Sequence, residues 1–442
     1  MADNKAIDML RTGLIGVIRG WLFVACLTAA SIAPAQGDSD ARVTKADALA
    51  TFDEVWQLVR DHFYDPQLHG VDWNGIRASY RDTAGAAGSQ AKLASLINRM
   101  LQELHATHTG YFTPADIAFY DLLTILSSGA SGLDGNPAEQ FPGGVVSYTG
   151  IGMFTREIEG RTFITGLLDG YAAKRAGLLV GDEIVDVDHR PFAPVESFRD
   201  KEGEQTTIAI RHKRDDTARR ISVVPQTITP SYAYLEAMSD SVRVIDAGGF
   251  SIGYIHVWTF YGKDYWSRLQ TKLFTNPLRD TDGLIVDMRD GWGGGSLEIL
   301  RYFDPYMPRF ETINRQGVTS TIGPKWRSHV ALIVNQGTRS MKEVFTYGFR
   351  KYHYGEVIGT RTAGAALEAH GFLLKDGLLV LPISDVRLDG ERLEGHGVSP
   401  TIEVPFDIRY ADGQDPQLDR AVDALVKTLQ AGAEKSASDG QQ

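Results

Sequence analysis

Apolar residues in the first part of the chain recur at helical spacing: Phe52, Val55, Trp56, Val59 and Phe63, then Leu93, Ile97, Leu101 and Leu104. Side chains three and four apart share one helix face, so residues 36–126 read as a small N-terminal helical domain with a buried stripe. The stripe ends in a polar-aromatic segment, Leu104-His105-Ala106-Thr107-His108-Thr109-Gly110-Tyr111-Phe112, and glycine-rich residues 127–144 read as a linker. Over 145–229 the pattern changes to short strands, among them Gly150-Ile151-Gly152-Met153-Phe154 and Phe163-Ile164-Thr165-Gly166-Leu167. From 230 to 431 strands and helices alternate. Residues 252–257 form a strand, 265–273 suit a helix, and 283–289 form a buried strand running into Asp290-Gly291-Trp292-Gly293-Gly294-Gly295. Another apolar run, 330–334, stops at Asn335-Gln336-Gly337-Thr338-Arg339-Ser340, where helix-prone Met341-Lys342-Glu343-Val344-Phe345 begins. Asp415-Pro416 is a helix start, and Leu418, Ala421, Val422, Leu425, Val426 and Leu429 follow on one face. Residues 432–442 are polar and read as a disordered tail. The pattern predicts an α/β multidomain chain.

Composition changes this picture little but excludes some functions. A chain of 442 residues, 43% hydrophobic and 23% charged, can bury a large core in two or three domains. Its net charge of -11 and lack of a dense Lys/Arg run argue against a nucleic-acid partner, because phosphate binding needs a basic face.

Residues 1–35 read as an export signal: Lys5, Arg11 and Arg19 precede a short apolar stretch over 21–32, and Ala33-Pro34-Ala35 matches a small-x-small cleavage pattern. An uncleaved anchor, with membrane proximity, and a lipoprotein site at Cys26 are the alternatives. Cys26 is the only cysteine, so cleavage near Ala35 leaves a mature chain without thiol chemistry and exported to the periplasm or outside.

Ser340 sits at a strand-to-helix turn, where a hydroxyl either caps the helix or projects beside free amides that can face a developing oxyanion. The glycine run after Asp290 also exposes amides, but it lacks the lysine ending of a P-loop and the full dinucleotide fingerprint.

Two resemblances connect these motifs. Ala176-Gly177-Leu178 followed by Gly181-Asp182-Glu183-Ile184 makes residues 145–229 resemble a PDZ domain. That likeness implies that Gly150, Ile151, Gly152, Met153 and Phe154 offer amides to a peptide carboxylate while the peptide adds to the sheet edge. A spacer module with a blocked groove is the alternative. The order of parts resembles the C-terminal processing (tail-specific) peptidases and their tricorn-core relatives: helical segment, PDZ-like module, Asp-x-Arg strand with glycine turn, then Asn-x-Gly-Thr-x-Ser before a helix. This implies an α/β core of the crotonase/ClpP-like type and a serine peptidase acting on peptides or protein C-terminal regions, with no cofactor or metal.

The resemblance also implies particular residues. Processing proteases carry a lysine base in a Gly-x-x-Thr-x-Gly-Lys segment, but here Gly359-Thr360-Arg361-Thr362-Ala363-Gly364 ends in Ala365, and Lys342 lies only two residues along a helix from Ser340. The tricorn-like branch uses histidine instead, which His108 after Thr107 matches, and a glutamate from a Glu-x-x-Gly-Val-x-Pro segment, which Glu394 matches. The implied set is Ser340 as nucleophile, His108 as base, Thr107 and Glu394 as supports, and the amides of Gly293, Gly294 and Met341 as the oxyanion hole. His396 is an alternative base. His105 and His108 could share a metal, but no third ligand is evident. Gly291, where asparagine is common, and bulky Arg339, Met341 and Lys342 around the serine leave open a silent homologue acting as a PDZ-type scaffold.

Overall fold

The long apolar strands form the middle of a six-stranded sheet. The computed structural model describes residues 41–128, 132–295, 297–304, 310–322 and 329–439, so the export signal, Cys26 and the Ala35 cleavage site lie outside the described residues. Sheet order is Arg243–Ala247, Phe250–His256, Gly283–Asp287, His329–Val334, Gly355–Gly359 and Ile402–Glu403; the first pair is antiparallel and the rest are parallel. Side chains alternate across it. Leu284, Val286, Val330, Leu332 and Val334 join a core with Phe345 and Phe349 of helix Met341–Lys351, while Ile285, Ala331 and Ile333 pack with Ala421 and Leu425 of helix Pro416–Asp439. Both faces are covered, which is why these strands read as unbroken apolar runs. Asp287 and Ile333 are register partners in the parallel pair, so the glycine turn and the Ser340 turn leave the same edge of the sheet. Carboxyl ends of parallel strands are where open α/β sheets bind ligands.

The helical region does not fold on its own side chains alone. Phe52, Val55, Val59, Leu93, Ile97 and Leu101 share a core with Phe372, Leu379 and Leu381 from the hairpin Glu368–Leu374 and Gly377–Ser384. Strand Gly110–Phe112, just past the polar-aromatic segment, pairs antiparallel with the hairpin's second strand. That pairing carries Thr107 and His108 to the C-terminal part of the chain.

Residues 148–228 hold a five-stranded antiparallel sheet ordered Met153–Ile158, Arg161–Leu167, Glu183–Val187, Thr206–Arg211 and Arg219–Val223, with a short helix Ala172–Arg175. Met153–Ile158 is an edge strand of this sheet.

Three boundaries differ from expectation. Helix Ile117–Ser128 runs past 126, and the presumed linker contributes a strand, Leu133–Asp134, that pairs with Glu368–Leu374. The tail expected to be disordered is helical as far as Asp439, since Pro416–Asp439 is one helix. Extending an existing helix through Ala431, Ala433, Glu434 and Lys435 needs no new nucleus.

Candidate active site

Strand His329–Val334 ends in a turn tied down by its own side chains. The Thr338 hydroxyl donates to Met288 O at 2.8 Å, the Asn335 amide donates to the Thr338 hydroxyl, and Gly337 donates to the Asn335 side chain. These bonds lock the turn against the neighbouring strand's exit. Ser340 follows at φ 56°, ψ -132°, and its side chain makes no capping bond to the helix it precedes. Its amide donates to Ala365 O at 2.7 Å. A non-glycine residue in this backbone region is strained, and without a cap bond the hydroxyl gives no local return for that strain.

The polar-aromatic segment supplies a connected relay. The Thr107 hydroxyl donates to Glu394 Oε2 at 2.7 Å and lies 3.2 Å from His108 Nδ1. A hydroxyl has one proton, and with that proton on the carboxylate it accepts from Nδ1–H, so the lone pair of the ring sits on Nε2. Glu394 also takes the Thr107 amide at 2.8 Å and the Ala366 amide at 3.1 Å. Ala366 adjoins the residue that accepts the Ser340 amide, so the carboxylate and serine turns are braced on one segment. Burial first, and the nearby Arg339 cation second, lower the His108 ring to about 4.

The glycine turn abuts the serine. A Cβ built at Gly293 would lie 2.4 Å from Ser340 Cβ, 2.8 Å from its Oγ and 3.0 Å from the Met341 amide nitrogen. Gly293 O accepts from the Thr259 hydroxyl at 2.7 Å and the Phe260 amide at 3.2 Å. In a trans peptide the next N–H points opposite to that carbonyl, which fixes the Gly294 amide direction. Gly291 has φ 70°, and a Cβ there would come 2.1 Å from Trp258 O, so the departure from asparagine follows from close backbone contact. Ser340, Met341, Gly293, Gly294, His108 and Arg339 line one cleft of about 1,010 Å³, with Phe112, Leu126 and Ile299 among its apolar walls.

No lysine replaces the histidine. Ala365 occupies the expected lysine place, and Lys342 Nζ is buried, donating to Asp290 O at 2.5 Å and 3.5 Å from Trp258 O. Burial lowers its ammonium to about 7, opposed by Asp290 and Asp287. Lys342 is thus a strut under the glycine turn, and of the three bulky neighbours only Arg339 and Met341 reach the cleft. His396 is exposed, with Nδ1 2.9 Å from the Glu394 carbonyl in its own loop, and His105 is exposed as well; neither lines the cleft. No cluster fit to hold a metal exists among the described residues. Gly150 to Phe154 run along the edge of the 148–228 module, where Ile117, Pro194 and Phe198 line a narrow crevice with the loop.

Comparison with known proteins adds family information to this geometry. Residues 251–404 match the model of Peptidase family S41, and residues 44–102 match the Tricorn protease C1 domain. Over residues 251–404 the chain is similar to peptidase family S41. It is 26% identical over 398 residues to tricorn protease homolog 1 of Streptomyces coelicolor, covering 86% of this chain and 35% of that protein. To the carboxyl-terminal-processing protease of Synechocystis it is 24% identical over 337 residues, 73% of each chain. The crystal structure of the tricorn protease shares its fold at TM-score 0.53 and 19% identity, covering 87% of this chain and 37% of that one. The chain spans about a third of the length of the tricorn relatives it matches.

Several residues important to this site were not singled out by sequence. Buried Glu343 accepts the Thr362 hydroxyl at 2.5 Å and the Gly364 and Ala365 amides at 2.7 Å, stapling that loop to the serine's helix. Burial raises its carboxyl, and the same donors oppose the rise. Its spacing, Ser-x-x-Glu, was the available signal, but that spacing reads as a capping box. Asp121 accepts from Tyr234 at 2.7 Å and Trp292 Nε1 at 2.9 Å, with burial lifting its carboxyl to about 7. The Asp-x-Arg motif is structural: Arg289 forks onto Asp287 and Asp415, and Asp415 also caps Leu418. Burial would raise Asp287, but the Arg289 charge holds it well below the usual carboxylate range.

Proposed function

We propose that the chain is a serine peptidase of the tricorn-like catalytic type. Ser340 is the nucleophile, His108 the base, Thr107 and Glu394 its supports, and the amides of Gly293 or Gly294 and Met341 the oxyanion donors. The observation that carries this reading is the uncapped, strained Ser340 sharing a cleft with a histidine whose Nδ1 is bonded through Thr107 to Glu394.

The chemistry follows from those positions. Ser340 Oγ forms a bond to the scissile carbonyl carbon as its proton passes to His108 Nε2, and negative charge develops on the carbonyl oxygen. Amides preset by the Gly293 bonds and the helix start stabilise that charge. His108 then returns the proton to the leaving amine as the C–N bond breaks, and a water deprotonated by the same nitrogen hydrolyses the acyl-enzyme. With its basicity lowered, the ring is uncharged and ready to accept a proton at neutral pH.

The PDZ-like reading of 145–229 is supported by the edge strand Met153–Ile158, to which an extended peptide can add. The crevice beside Gly150–Met153 is narrow and bounded by Ile117, Pro194 and Phe198. The crotonase/ClpP-like core is supported by the covered parallel sheet, and export by the charged-then-apolar pattern of 1–35. The test is hydrolysis of a peptide library by wild type, Ser340→Ala and His108→Ala. Cleavage by wild type alone supports the enzyme; binding without cleavage by all three supports the silent scaffold.

A further inference from the structure

Arg339, immediately before Ser340, carries a cation that the fold leaves unpaired. It lines the cleft, and its guanidinium stacks over the Trp292 ring at 5.3 Å from the centroid. Its Nε is buried with no hydrogen-bond partner, and no described carboxylate lies within ion-pairing distance of it. Burying a guanidinium without a partner is costly, and surface arginines avoid the cost by pairing or facing water. This one is instead held in place: Trp292, the ring beneath it, is fixed by a bond from its Nε1 to buried Asp121, which Tyr234 also binds. Burial lowers its basicity, and the Arg156 cation adds to the drop; Asp290 and Glu343 oppose it, but both are committed, Asp290 to the Asn335 amide group at 3.2 Å and Glu343 to the 362–365 loop. A part-buried guanidinium held on the Trp292 ring in the cleft wall, its Nε out of water and unpaired, matches a planar carboxylate beside the reactive hydroxyl.

We infer that Arg339 is a specificity-determining residue that receives a carboxylate of the substrate close to the scissile bond. This rests on the peptidase reading above. Two sources supply that chemistry in a peptide: the free C-terminal carboxylate, when the bond cut lies at the end of the chain, and an Asp or Glu side chain flanking the bond. The apolar remainder of the cleft, with Phe112, Leu126 and Ile299, takes the hydrophobic side chains of the same substrate.

The test uses N-acetylated peptides cleaved by the wild-type chain, each made in four forms: free acid or carboxamide terminus, with Asp or Asn beside the scissile bond. Wild type is expected to favour the carboxylate form by about 10- to 100-fold in kcat/KM, as a charge-assisted bond to a desolvated partner implies. The arm that shows the ratio identifies the source. The ratio should collapse towards one in Arg339→Met, be partly retained in Arg339→Lys and invert in Arg339→Glu. A ratio near one in both wild-type arms, or one that survives Arg339→Met, overturns the inference. The same four-way comparison of peptide binding to Ser340→Ala, followed by Trp292 fluorescence, reads carboxylate recognition without turnover. Carboxylate-dependent binding without any cleavage would sink the peptidase reading and leave this one standing, whereas cleavage with no carboxylate dependence would do the reverse.

Discussion

Replacing Thr107 by valine removes one hydroxyl and keeps the shape of the side chain, which isolates the relay between Glu394 and His108. Two bonds are lost: the 2.7 Å donation to Glu394 Oε2 and the 3.2 Å contact that holds His108 Nδ1. Glu394 is not stranded, because the Thr107 and Ala366 amides remain at 2.8 and 3.1 Å. A hydrogen bond to a charged acceptor contributes about 1.5–3 kcal/mol, and the retained amides keep the stability loss at roughly 1–2 kcal/mol. The catalytic loss is that of a ring free to turn and to change tautomer, about 10- to 100-fold in kcat/KM, or roughly 1.4–2.8 kcal/mol. His108→Ala, which removes the proton acceptor itself, should cost more, about 100- to 10,000-fold. Thr107→Ser retains both bonds and should stay within about threefold of wild type. Peptide hydrolysis, with urea unfolding of each variant in parallel, separates the two effects. A folded Thr107→Val enzyme with wild-type kcat/KM, or a Thr107→Ser enzyme as impaired as the valine variant, would refute the relay.

Further expectations concern charge and the glycine turn. With the His108 ring lowered from its ordinary 6.5 to about 4, the acid limb of kcat/KM should fall well below pH 6; a limb centred at 6.5 would contradict the burial argument. For the same group the unfolded chain binds more protons between those values, so stability should decline as pH falls from 6.5 towards 4, a loss that His108→Gln should remove in urea titrations. Gly293→Ala drives a methyl against Ser340 Cβ and the Met341 amide, and should lower kcat about 100-fold or more together with the unfolding midpoint, because the turn must shift to admit it. Arg289→Met strips fully buried Asp287 of its counter-charge and should destabilise by about 3–5 kcal/mol in urea, unlike a catalytic lesion.

The sheet was legible because its strands carry unbroken apolar runs, and the serine's helix because it follows Asn335-Gln336-Gly337-Thr338. The helical region was legible as helices but not as half of a shared core, since the stripe of Phe52, Val55 and Val59 gives no hint that Phe372 and Leu379 complete it. Periodicity reports which face is buried, never against what. Thr107, His108 and Glu394 were reached only through resemblance to a family, because lone polar residues in loops have no periodic signature, and the pairing of Gly110–Phe112 with a distant hairpin is what unites them. Lys342 shows the opposite limit: nothing in its place on an amphipathic helix announces that it is buried, with its ammonium on the carbonyl of Asp290 in the glycine turn and 3.5 Å from that of Trp258. Glu343 was hidden in the same way, its buried contacts all lying in a loop about twenty residues later.

The central claim is that Ser340 is the nucleophile and His108 its base. A fluorophosphonate probe, followed by mass-spectrometric mapping of the adduct, tests it most directly. Wild type should carry a single adduct on Ser340, Ser340→Ala none, and His108→Ala should label much more slowly. An unlabelled, well-folded wild type, or an adduct that persists in Ser340→Ala, would contradict it.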